Sequence, residues 1–120
     1  MSIANYLETA LLDYVFNTLA ATTYVKLHLG DPGEDGTANA AVHTTRAAVT
    51  FGAASAGAIA NDGAAAFTSM AAAETISHIS IWDAATLGNC FWTGALTASK
   101  DVNTGDNFTI PVGDLDITLD

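Results

Sequence analysis

Thr75-Ile76-Ser77-His78-Ile79-Ser80-Ile81-Trp82, the loop Asp83 to Asn89, and the return Cys90-Phe91-Trp92-Thr93-Gly94-Ala95-Leu96 decide the fold. β-Branched residues dominate the first run, and side chains on a strand alternate between its two faces. Ile79 and Ile81 then share one face, with Ile76, His78, Ser80 and Trp82 on the other. Gly88-Asn89 closes the loop with turn chemistry, so the two runs form a hairpin. Aromatics on both faces imply a central hairpin covered on both sides.

Period two continues on either side of this hairpin. Downstream, Lys100 to Asp106 is a connection, then Phe108, Ile110 and Val112 alternate. Leu115, Ile117 and Leu119 alternate in turn with Asp116, Thr118 and Asp120. Pro111 donates no ladder hydrogen bond and places its strand at an edge. Upstream, Val25, Leu27 and Leu29 fall on one face, with Tyr24, Lys26 and His28 on the other. Gly30 to Gly36 carries two turn signals and opens a polar loop to about Thr45. Arg46 to Phe51 alternates again, with Ala47, Val49 and Phe51 together. Residues 52–66 are almost all small and predict a short strand, a turn at Asn61-Asp62-Gly63 and another strand, while Ala71 to Glu74 is compatible with one helical turn.

The first twenty residues have a different period. Ile3, Leu7, Ala10, Leu11, Tyr14 and Val15 recur at three- and four-residue steps, with Asn5, Glu8, Thr9, Asp13 and Asn17 between them and Ser2 as a candidate N-cap. Leu12, Phe16 and Leu19 widen the apolar stripe, which is expected to cover the chain's own sheet, its breadth leaving room for a second contact. The expected architecture is mainly β: one N-terminal α-helix, then an antiparallel β-sandwich or jelly-roll-like domain of about seven short strands. It is one domain over 1–120, with the helix in 1–20 and the β-domain in 22–120.

Half of the 120 residues are hydrophobic, but 24 are alanine, so the supply of large apolar side chains is ordinary. No window offers the roughly 18 apolar residues of a membrane span, and no basic segment precedes the first apolar stretch. A soluble protein without an export signal is expected. Three Lys and Arg against 13 Asp and Glu give a net charge of −10. With Lys26, Arg46 and Lys100 scattered, neither nucleic acid nor an anionic membrane is an expected partner. Cys90 is alone and forms no internal disulfide.

Residues with chemical potential do not assemble into a motif. His28, His43 and His78 lack the paired spacing of metal ligands and suit surface or interface positions. Asp31, Glu34 and Asp35 among glycines do not match the alternating acids of a calcium loop. No Gly-x-Ser-x-Gly elbow or phosphate loop occurs, and Cys90 fits a small buried thiol. Trp82 and Trp92, placed across the hairpin, are core aromatics before they are a sugar-stacking platform. Neither an enzyme nor any cofactor or metal site is expected.

Several stretches carry a resemblance. Met1-Ser2-Ile3-Ala4-Asn5-Tyr6-Leu7-Glu8, Asp31-Pro32-Gly33-Glu34-Asp35-Gly36-Thr37, Ala47 to Gly52, Ile79 to Thr86, Thr93 to Lys100, Val102 to Asp106 and Leu115 to Asp120 resemble a family of short tailed-bacteriophage virion structural proteins, labelled tail-fibre-like, minor capsid or decoration proteins. The resemblance implies a non-enzymatic virion component made in the host cytoplasm. Compact length favours a capsid decoration or cement protein that binds the major capsid protein as a homo-oligomer, with a trimer favoured. The alternative is a tail-associated minor tail or tail-fibre protein acting in host attachment. Tyr6, Tyr14 and Phe16 on the helix and Ile59 in the small-residue segment are the candidate interface residues, own-domain core being the alternative for each.

Overall fold

In the computed structural model, which describes residues 1–119, four strands form the main sheet. They are β1 (Thr23–His28), β2 (Ala47–Val49), β5 (Glu74–Trp82) and β6 (Cys90–Val102), in the order β2-β1-β5-β6 with antiparallel pairing throughout. Two smaller antiparallel pairs complete the β structure: β3 (Ala58–Ala60) with β8 (Asp116–Thr118), and β4 (Ala65–Phe67) with β7 (Phe108–Ile110). The chain is mainly β with one N-terminal helix, and eight strands replace the seven expected.

Register explains the inner face of the main sheet. Val25 lies opposite Ile81, Leu27 opposite Ile79, and Ile81 in turn opposite Trp92. These residues pack on Phe51, Ile59, Phe67, Ile110, Leu115 and Ile117 from the smaller pairs and their connections, while Leu12 and Phe16 close one end. Phe16 and Phe51 meet at a 4.5 Å centroid separation, and Phe67 stacks on Phe108 at 5.9 Å.

Three expectations about the strands change. Ile76 was placed opposite Ile79 and Ile81, but a register shift between Ile76 and His78 reverses the alternation, and all three join the core. The return strand runs on to Val102, absorbing the first part of the expected connection at Lys100 to Asp106, because Ile76, Thr75 and Glu74 still offer it partners. Pro111 lies just beyond β7, an edge strand whose partner is β4. Ala71 to Glu74 forms no helical turn, and Asp120 lies outside the described residues.

The outer face of the sheet is covered by residues 30–45. His28 Nδ1 donates to the Ala38 carbonyl at 2.8 Å, and Ser80 Oγ donates to His28 Nε2 at 2.7 Å while accepting from Trp82 Nε1 at 2.7 Å. The carbonyl can only accept, which fixes the ring as the Nδ1–H tautomer. Arg46 lies 4.2 Å over the Trp82 ring and donates to the Ala84 and Leu87 carbonyls, tying the hairpin loop to the sheet. His28 and His43 are buried, not at the surface or interface positions expected: the loop covers the face on which period two placed His28, and His43 meets Phe67 edge-on while its Nδ1 accepts from the Ala71 N–H.

Asn61, read from sequence as turn chemistry, is a buried junction. Its side-chain amide donates to the carbonyls of Gly63 and Pro111 and accepts from the N–H groups of Gly113 and Leu115. One side chain thus links the β3–β4 turn to the β7–β8 connection.

Candidate functional site

Asn5–Asp13 forms α1, and a wider π-helical stretch follows over Tyr14–Leu19. Ala4, not Ser2, occupies the N-cap position and makes no side-chain cap bond. The π register means that a 3.6-residue period no longer assigns faces after Asp13. Phe16 accordingly points into the core while Leu19 is exposed.

The helix divides its broad apolar stripe: Leu12 and Phe16 enter the core with Val15 packed beside them, while Leu7, Leu11 and Tyr14 face solvent. Several polar side chains also turn toward the protein. Asp13 accepts from the Ala54 N–H at 2.6 Å, Thr9 Oγ accepts from the Gly57 N–H at 2.9 Å, Asn17 donates to the Gly52 carbonyl at 3.0 Å, and Glu8 is buried. Segment 52–57 has little regular structure of its own, so these side chains satisfy backbone groups that a strand partner would otherwise hold. Gly57, at φ +75°, also allows the Glu8 carboxylate to approach where any Cβ would collide.

Much of the solvent side between Tyr6 and Tyr14 is apolar. Tyr6 is 84% exposed, Leu7 48%, Leu11 36% and Tyr14 52%. Leu7, Ala10, Leu11 and Tyr14 stand at i, i+3, i+4 and i+7, a single stripe two turns long without a charge. Beside it runs a shallow depression lined by Asn5, Tyr6, Thr9, Ala10 and Asp13.

The four candidate interface residues divide by exposure. Tyr6 and Tyr14 lie on the exposed stripe, whereas Phe16 and Ile59 are fully buried in the chain's own core. Ile59 pairs with Ile117 across β3–β8, and segment 52–66 gives its first part to the helix, not to a flat outer surface. Leu7 and Leu11 were visible in the stripe, but its face was assigned to the sheet.

A second surface feature is a groove of about 650 Å³ between the β5–β6 side of the main sheet and the β7–β8 region. Trp92, Leu96 and Phe108 line its apolar part, and Lys100, Asp114 and Asp116 contribute its charged groups. Trp82 lies on the opposite face from Trp92, since Ile81 is the residue paired with Trp92, so the two indoles form no common platform.

The titratable groups are held for structure. Burial lowers the His28 pKa, with the Ala38 hydrogen bond opposing. Burial pushes the Cys90 thiol up, away from a reactive thiolate. The Asn89 backbone N–H and then its side-chain amide hold Asp83 below its usual carboxylate value. Asp31 and Asp35 accept from Gly33 N–H and from Thr37, as turn-capping acids do. Among the described residues no group of three His, Cys, Asp or Glu is placed to hold a metal ion, and no helix is long and apolar enough to cross a membrane.

Comparison with protein families gives one match covering nearly the whole chain: the family described as Podophage GP4 fiber I protein gp80, over residues 2–118. No curated protein matches the sequence.

Proposed function

The chain belongs to the podophage GP4 fiber I protein gp80 family, a family of phage structural proteins, and from that premise we propose that it is a non-enzymatic building block of a phage fibre, carried in the virion. The family match over residues 2–118 is the observation that carries this function. The surface agrees with it: an uncharged apolar helix face suits lateral packing, and the buried histidines and high-pKa thiol are held by the fold. The fibre description favours the tail-associated alternative over the capsid decoration protein that compact length suggests. The major capsid protein is accordingly not the proposed partner.

Virions of the encoding phage, dissociated into heads and tails and quantified by peptide mass spectrometry, test the proposal. The chain is expected in the fibre-bearing fraction at no more than a few dozen copies per particle. Hundreds of copies retained on heads would overturn it and establish the shell-stabilising role.

A further inference from the structure

We propose that the outward face of the helix is a self-association surface, on which Leu7, Ala10, Leu11 and Tyr14 of one copy pack against the same face of a second copy of this chain. The inference concerns the isolated protein and does not depend on where in the virion it sits.

The first argument is how the helix is fixed. Thr9, Asp13 and Asn17 bond segment 52–57 and Glu8 is buried, so the orientation of the exposed apolar stripe is set on the opposite side. The chain has its core contacts already, through Leu12 and Phe16. An apolar face held outward by specific polar bonds on the opposite side has a defined orientation for docking.

Charge selects the occupant. Each copy carries −10, so two copies repel over most of their surfaces. The stripe itself carries no carboxylate: Glu8 is buried, and half-buried Asp13 is engaged by the Ala54 N–H at the edge of the neighbouring depression. A basic partner would be drawn to the carboxylates elsewhere on the surface and would find none to pair with here. A second copy needs a place to approach without charge, and this is such a place. The i, i+3, i+4, i+7 spacing also lets one stripe meet its own symmetry mate ridge to groove, with the polar depression of Asn5, Thr9 and Asp13 left at the rim.

Area agrees with a modest but specific contact. At their exposures Tyr6, Leu7, Leu11 and Tyr14 present on the order of 500 Å². Doubled across a symmetric interface this is about 1,000 Å², the lower end for a specific protein–protein contact.

Sedimentation velocity between about 5 and 300 μM covers the affinity expected of an interface of this size. The protein is expected to shift from monomer toward oligomer across that range, and Leu7→Glu and Tyr14→Glu to stay monomeric with unchanged circular dichroism and melting. Val112→Glu, at an exposed apolar position in the β7–β8 connection, is expected to associate as the parent does. A parent chain that remains monomeric at the highest concentration overturns the proposal. So does association that survives both helix variants, or that Val112→Glu abolishes equally.

Discussion

Asn61 and His28 show how single polar side chains organise regions that short strands cannot hold alone. All four hydrogen-bonding positions of the Asn61 amide are used in the interior. Asn61→Leu keeps the approximate volume but strands the Leu115 N–H and the Gly63 carbonyl, while the Gly113 N–H keeps the Asn61 backbone carbonyl and the Pro111 carbonyl keeps the Asp114 N–H. An unsatisfied buried group costs about 1–3 kcal/mol, so a loss of roughly 2 kcal/mol or more in urea unfolding is expected. His28 gives a pH dependence instead. Its folded pKa is lowered by burial below the 6.5 of an exposed ring, so the unfolded chain takes up the proton first as pH falls. Its contribution is complete above that value and is lost progressively as pH falls through the folded pKa. Gln at position 28 can donate and accept without titrating, so His28→Gln should show a shallower fall in melting temperature between about pH 7.5 and 5.5 than the parent. An equal fall in both proteins would assign the acid sensitivity to other groups.

At the scale of elements, the N-terminal helix is held by bonds from its side chains to a loop backbone as well as by Leu12 and Phe16. Asp13→Ala leaves the Ala54 N–H unpaired and is expected to destabilise by about 1–2 kcal/mol, whereas Leu7→Ala, on the outward stripe, should change stability by about 0.5 kcal/mol or less. Chemical denaturation of the two variants decides whether Asp13 faces the loop and Leu7 faces solvent, since an inward-facing Leu7 would reverse the order. This helix also marks a limit of pattern reading. Periodicity located it and grouped its apolar residues, but a hydrophobic stripe does not say which way it faces when the polar side can bond to bare backbone. Strands were more legible. Val25 with Leu27, Ala47 with Val49, and Ile79 with Ile81 were each grouped on one face of a strand because alternation is strict there, and these faces meet in the core; the register shift near Ser77 and the strand ends at Leu29 and Val112, which are exposed, misled. The roles of His28 and Asn61 were not legible, because each depends on segments brought in from far along the chain.

Taken as a whole, the molecule measures 44 × 27 × 27 Å and has little positive charge with which to neutralise its acids. Many carboxylates are used locally instead: Asp13, Asp31, Asp35, Asp62, Glu74, Asp83, Asp101 and Asp106 each accept from a backbone N–H or a hydroxyl. The net charge of −10, which from composition alone read as a solubility property, thus also fastens irregular connections. The phage resemblance was legible in short sequence stretches, and the family match extends over the same length. The position within the particle was not, because compactness is shared by fibre and shell components alike.

Gly57 carries one more consequence. Its N–H is bonded by Thr9 and its carbonyl accepts from the Leu119 N–H, so a single mid-chain residue joins segments from near both ends of the described sequence. β3, which bonds locally only to Gly52 and Ser55, likewise waits for β8 before it has a strand partner. Such closure between distant segments places folding on the slow side, on the order of milliseconds to seconds, and it cannot finish on the ribosome until residues 115–119 have emerged. Until then Phe51 and Ile59 lack part of their cover, and the nascent chain is at its most vulnerable to aggregation and proteolysis.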